Sequence, residues 1–137
     1  MPFWGLSNFA PPGIQEHGVY WPTVEHYFQA QKFAEPAARE RIRKAGTPKE
    51  ARTLGQGREY KIRSDWDAVR EQVMLQALRL KFKSTDAKTL LLSTEDRVLV
   101  EASPFDYYWA AGQDGTGLNR LGHLLMQVRS ELAHGEA

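Results

Sequence analysis

A chain of 137 residues, 42% hydrophobic and 26% charged, has the length for one domain and the apolar content to fill one core. It has no cysteine, which excludes disulfides, thiolate nucleophiles and thiolate-ligated zinc, and no apolar run approaches the roughly 20 residues that span a bilayer. A formal net charge of +1 argues against a protein held on bulk DNA mainly by phosphate neutralisation.

The opening, Met1-Pro2-Phe3-Trp4-Gly5, lacks the basic and apolar regions of a signal peptide, and with the absence of cysteine it points to the cytoplasm. Residues 3–22 are rich in Gly, Pro and aromatics and read as loop with short extended pieces, among them a brief strand at Val19-Tyr20-Trp21 ended by Pro22. Thr23 reads as the N-cap of a helix over 24–33 that ends near Pro36. A second helix is predicted from Pro36 to Gly46, since Pro suits a first helical position and Gly an end. Thr47-Pro48-Lys49-Glu50 is a capping box opening a short helix to Gly55. From Arg39 to Arg63 nine Lys or Arg stand against three Glu, a balance that suits a solvated helix face or a pocket for a phosphorylated small molecule.

Ser64-Asp65-Trp66-Asp67 opens the longest predicted helix, whose buried stripe is Trp66, Val69, Val73, Ala77 and Leu80. A short helix follows over 86–92, then a strand over Val98-Leu99-Val100-Glu101-Ala102, then loop over 103–117. The last helix begins near Leu118 or Asn119, with Leu121, Leu124, Leu125, Val128 and Leu132 as its apolar face. The class expected is α+β, a predominantly α-helical single domain over 1–137 with a small β-sheet.

Three stretches hold residues suited to chemistry. Glu25, Gln29 and Lys32, spaced by four and three, share one face of their helix and make either a solvent-facing stripe or one wall of a cleft between aromatics. In Ser103-Pro104-Phe105-Asp106-Tyr107-Tyr108-Trp109, Asp106 beside aromatics is either a partly desolvated functional carboxylate or a turn-former. The run from Gly112 to Asn119 leads into the last helix, where glycines and a helix N-terminus suit an anion, though no Gly-Lys-Ser/Thr follows. The histidines show no metal-ligand spacing, His26 reads as a packed or cap-side residue, and no nucleophile elbow supports a triad. No metal and no cofactor are expected.

Taken together, the motifs resemble one family. Phe3-Trp4-Gly5-Leu6-Ser7-Asn8-Phe9-Ala10, the thirteen residues Trp21–Phe33, Arg63-x-Asp65-Trp66, Val73-Met74, Lys81-Phe82 and Leu99-Val100-Glu101 occur in the order of the NADAR family. So do Asp106-x-x-Trp109, Gly115-x-Gly117-x-Asn119-x-Leu121-Gly122 and Leu125-Met126-x-Val128-Arg129. The stretch Trp21–Phe33 is the most specific. Two departures stand out: the strand that usually precedes the aromatic–Gly segment is absent, and the Trp-Gly-x-Gly step reads Trp109-Ala110-Ala111-Gly112.

The resemblance implies an N-glycosidase acting on a small ribose phosphate or ADP-ribose adduct. Its substrates would be a phosphoribosylamino-pyrimidine intermediate of riboflavin synthesis or ADP-ribosylated guanine, the latter with a nucleic acid base as carrier. Glu25 then stabilises the oxocarbenium-like sugar or activates water. Lys32 has three roles open to it: proton donor, phosphate ligand or Schiff-base amine. Asp106 orients ribose hydroxyls or shares acid–base work. Asn8 and Gln29 face the ribose or base, Trp66 and Trp109 stack on base or sugar, and Arg63 with Gly115, Gly117 and Asn119 takes the phosphate. The other reading is a non-catalytic module that binds ADP-ribose or another NAD metabolite in the same pocket, which the absent strand and Ala110 favour. No membrane partner is expected, and the sequence does not set the oligomeric state.

Overall fold

The computed structural model describes residues 4–135; Met1, Pro2 and Phe3 of the opening lie outside the described residues. After a single 3-10 turn at Trp4–Leu6, β1 (Ile14–Glu16) and β2 (Val19–Trp21) form an antiparallel hairpin with Ile14 opposite Trp21 and Glu16 opposite Val19. Its two loop residues, His17 and Gly18, both have positive φ, 52° and 78°. That is the backbone a two-residue hairpin loop needs to match strand twist. The sequence shows β2 but not β1, because Ile-Gln-Glu is too short to display a period. Ile14 and Trp21 are buried, and Trp21 meets Tyr27 edge-on at 5.7 Å.

Helices make up the rest of the regular structure: α1 (Val24–Ala30), α2 (Pro36–Arg43), α3 (Pro48–Gly55), α4 (Trp66–Lys81), α5 (Thr85–Leu92) and α6 (Arg120–Ala133). The class is α+β and predominantly helical, as expected. All seven residues of α1 are buried. A helix this short is not stable alone; it persists because α2, α3 and α4 pack round it. Thr23 caps it as expected, accepting the His26 N–H at 3.2 Å. His26 is locked between the Thr23 hydroxyl (2.8 Å) and the Ala45 carbonyl (3.0 Å). The carbonyl accepts from Nε2, so Nδ1 accepts from Thr23. α1 ends at Ala30, three residues earlier than the sequence suggests. The N–H groups of Lys32 and Phe33 fall back on Gln29 O and Ala30 O in 3-10 fashion, so Lys32 sits just past the last turn.

Two expectations need correction. Residues 98–102 form no strand, since no neighbouring strand lies alongside. The Asn119 side chain takes that partner's place. Its Nδ2 donates to Leu99 O and its Oδ1 accepts from Glu101 N–H, both at 2.9 Å, while Glu101 O accepts from Ala111 N–H. The second correction concerns α4. Its buried stripe is Trp66, Met74, Leu75, Ala77, Leu78 and Lys81, with Val69, Val73 and Leu80 only half-buried at its edge. A long helix packed on α1, α6 and β1 buries more than one narrow face, and alternative stripes differ by a small rotation.

Lys81 ends that stripe with no exposed surface. Its Nζ donates to Ser7 O at 2.8 Å and Ala10 O at 3.2 Å, tying the segment that carries Asn8 and Phe9 to α4. Burial alone pushes this amine down to about 8. Between α4 and α6, Arg79 grips Glu131 through two bonds of 2.9 and 2.6 Å. No helix among the described residues is long and apolar enough to cross a membrane.

Candidate active site

Two irregular segments, residues 7–9 ahead of β1 and residues 101–110, face the same side of α1. Between them lies a cleft of about 710 Å³, within the range of small-molecule sites. α1 supplies Glu25, Phe28, Gln29 and Lys32; the N-terminal segment supplies Ser7, Asn8 and Phe9; α3 and its C-cap supply Arg52 and Gln56. α4 supplies Trp66, Arg70 and Met74, and the 101–110 segment supplies Glu101, Ser103, Asp106 and Trp109 with its neighbours. Phe105 and Tyr107, from the same segment, are exposed large apolar side chains.

Glu25 is 3% exposed. A buried carboxylate is tolerated only with partners. Glu25 has two: Gln29 Nε2 donates to Oε2 at 2.7 Å, and Arg52 reaches Oε2 at 3.2 Å and Oε1 at 3.4 Å. The pair Glu25–Gln29 is the four-residue spacing read from the sequence. Arg52 comes from α3, and its guanidinium also lies over the Phe9 ring at 4.7 Å from the centroid. Lys32 Nζ donates to Gly55 O at 3.3 Å. Burial lowers the basicity of Lys32, Glu25 raises it and Arg52 lowers it further.

Gly55 is where α3 comes closest to α1. A Cβ there would strike the Gln29 amide, with Cδ at 2.8 Å and Cβ at 2.9 Å. Gly55→Ala is therefore expected to cost about 1–3 kcal/mol, the usual cost of overpacking, and to push Gln29 off Glu25. Thermal denaturation checks this; an unchanged melting temperature would mean that α3 yields without resistance.

The aromatic wall is continuous. Phe28 meets Trp66 at 5.0 Å and Trp109 at 5.5 Å, and Trp109 meets Tyr108 at 4.9 Å. Trp66 and Trp109 thus serve packing and cleft surface at once. Two buried acceptors among the cleft residues, Asn8 Oδ1 and Gln29 Oε1, have no hydrogen-bond partner. Asn8 Nδ2 contacts Met74 Sδ at 3.6 Å.

Asp106 forms a turn and also lines the cleft. Oδ1 accepts from the N–H groups of Tyr108 (2.9 Å) and Trp109 (2.8 Å), which builds the turn. Glu101 belongs to the matched Leu99-Val100-Glu101 motif, with nothing in its immediate sequence to mark it for chemistry. Its backbone is clamped by Asn119 and Ala111, and its half-buried side chain lines the cleft. Burial pushes the Glu101 carboxyl above the ordinary glutamate range, Arg52 pulls it back, and Asp106 pushes it up again. Only three-dimensional proximity to Asp106 and Arg52 singles it out.

The residues assigned to phosphate lie elsewhere. Arg63 is clasped to Asp65 at 2.5 and 2.8 Å and does not line the cleft; its backbone N–H donates to Lys32 O at 2.8 Å. Gly115 (φ 80°) stands in open space in an outer turn. Gly117 lets the loop pass close over the Ala110 and Ala111 carbonyls, where a Cβ would collide. Asn119, at φ 49°, spends its amide on Leu99 and Glu101. None of these three lines the cleft. Ala110, the departure noted in the sequence, is buried and has no left-handed backbone, so alanine meets no strain there; Gly112, at φ 74°, carries the left-handed position of this loop. Among the described residues no three His, Asp or Glu side chains group as metal ligands.

The NADAR domain family profile matches residues 2–133. The chain is 48% identical over 129 residues to N-glycosidase YbiA of Escherichia coli strain K12, covering 93% of this chain and 81% of that protein. It is 46% identical over 146 residues to riboflavin biosynthesis protein PYRR, chloroplastic, of Zea mays, covering 95% of this chain and 23% of the maize protein. The NMR structure of Escherichia coli YbiA has the same fold, with a TM-score of 0.86 at 46% identity over 96% of this chain and 79% of that one.

Proposed function

The chain belongs to the NADAR domain family and is an N-glycosidase; we propose that it hydrolyses the bond between a nitrogen and the anomeric carbon of a ribose phosphate. The substrates in view are phosphoribosylamino-pyrimidines of riboflavin synthesis and, by the same chemistry, ADP-ribosylated guanine. One observation carries the reading: the buried carboxylate of Glu25 and the amine of Lys32 line a single cleft whose other wall is aromatic.

Hydrolysis breaks the C1–N bond and forms a C1–O bond. As the nitrogen departs, positive charge grows on the ribose ring. The Glu25 carboxylate faces that charge and takes a proton from the incoming water. Arg52 and Gln29 hold it in one orientation, so little reorganisation is needed when the charge develops. The leaving nitrogen needs a proton in return. Glu101 suits this role, because burial raises its carboxyl above the ordinary glutamate range and so favours the protonated, proton-donating form. Lys32, made more acidic by burial, stands on the wall nearer Glu25 and steadies the departing electron density. Asn8 Oδ1 and Gln29 Oε1 are acceptors awaiting donors, which ribose hydroxyls supply. Trp66 and Trp109 give flat apolar surface for the base.

The test is to incubate the protein with an aminopyrimidine ribotide and with ADP-ribosylated guanosine, and to follow free base and free sugar phosphate by mass spectrometry. Release of both products from at least one substrate is expected. Binding of both substrates without release of either would overturn the reading.

A further inference from the structure

A ribose phosphate carries its negative charge at the end of the sugar away from C1, so its site needs an uncommitted cation set apart from the acid–base groups. Three basic side chains line the cleft: Lys32, Arg52 and Arg70. Arg52 is paired with Glu25, and Lys32 donates to the Gly55 carbonyl. Arg70 makes no ion pair with any described residue, and its Nε is buried without a hydrogen-bond partner.

The sequence offers Arg70 a carboxylate next door, Glu71, but the fold commits that carboxylate elsewhere. Arg120 holds Glu71 through Nε and Nη2 at 2.9–3.2 Å, and the Tyr108 hydroxyl donates to it as well. The Tyr108 ring, held by that bond, lies under the Arg70 guanidinium, with Cζ 3.8 Å from the ring centroid. Trp66, Arg70 and Met74 stand at successive four-residue steps on the cleft face of α4. The result is a guanidinium held against an aromatic ring in the cleft wall, with the Glu71 carboxylate near enough to be felt but given to Arg120, and with Nε unbonded. Stacking reduces the side-chain freedom an arginine loses on gripping an anion.

We propose that Arg70, stacked on Tyr108, is the phosphate anchor of the cleft and sets its preference for phosphorylated over unphosphorylated ribosides. The phosphate lies across the guanidinium fork, with the ribose reaching back toward Glu25 and Lys32. This deepens the ribose-phosphate reading above and rests on it. It also moves the phosphate contact from Arg63 and the glycine loop, which lie outside the cleft lining, to α4.

The experiment uses binding rather than turnover, so its failure and that of the glycosidase reading are distinguishable. Ribose 5-phosphate and ribose are titrated calorimetrically into the whole chain and into its Arg70→Gln and Arg70→Lys variants. The unaltered protein is expected to prefer ribose 5-phosphate by about ten- to a hundredfold, the range of a charge-assisted hydrogen-bonded pair. Arg70→Gln removes most of that preference while ribose binding holds. Should Arg70→Gln not fold, Arg70→Lys decides, since an ammonium lacks the planar fork: the preference falls by about threefold or more. An unchanged preference in the folded variant overturns the proposal. Equal weakening for both sugars overturns it too, because that marks a residue supporting the wall, as does a parent protein indifferent to the phosphate.

Discussion

Glu25→Gln is expected to lower turnover about a thousandfold while leaving the fold in place. The size follows from the role proposed for the carboxylate: acid–base participation accounts for about 10²–10⁴ in rate, and a fixed countercharge to the developing cation adds to it. The fold survives because Gln has nearly the same shape and keeps an oxygen for Gln29 Nε2. The lost Arg52 pairing is modest, since the Arg52 side chain is 50% exposed and solvent screens it. Product release followed by mass spectrometry gives the rate, and a thermal melt gives the fold. A folded Glu25→Gln protein turning over at the parental rate removes Glu25 from the mechanism.

The second large effect is on stability and depends on pH. The Lys81 amine is pushed from 10.5 to about 8 in the folded protein. Below about pH 8 both folded and unfolded chains carry its proton, and the burial penalty is constant. Between about 8 and 10.5 the unfolded chain binds more protons than the folded one, so the stability of the parent rises with pH. At about 1.36 kcal/mol per pKa unit, the full rise attributable to Lys81 is about 3 kcal/mol. Lys81→Met, with similar length and no charge, is expected to lack that rise while losing the bonds to Ser7 O and Ala10 O. Urea unfolding of both proteins at intervals from about pH 7 to about pH 10 checks this. Parallel stability curves would show that Lys81 gains no protonation penalty on folding.

The same lysine bears on function through packing. It holds the segment with Asn8 and Phe9 against α4, so the cleft's N-terminal wall hangs on a group far from the chemistry. Within the family pattern Lys81-Phe82 reads as one matched pair among many. Nothing local in the sequence distinguishes a lysine that binds two backbone carbonyls in the core from one that snorkels to solvent.

Other parts of the site divide along the same line. Thr23, Thr47 and the Pro at α2 and α3 announce their helices, because capping acts within one turn. Glu25 and Gln29 are legible as a pair because a helix brings residues four apart together. Arg52 as Glu25's partner is not, since 27 residues and a helix–helix contact intervene. Arg63 has the charge for a phosphate but is answered two residues later by Asp65, whereas Arg70 has Glu71 beside it and forms no direct ion pair with it, because Arg120 holds that carboxylate. Adjacent charges on a helix point in different directions, so whether they meet depends on what each faces.

By itself, then, the sequence determined the helices, one hairpin strand, the family and the Glu25–Gln29 pairing on one helix face, for these rest on local geometry and on motifs of consecutive residues. The tertiary structure alone decided that residues 98–102 run beside an asparagine instead of a strand, that Glu101 and Arg70 enter the cleft, and that the glycine loop stays out of it. Those outcomes depend on which donors and acceptors distant segments leave unsatisfied, a quantity fixed only when the chain has packed.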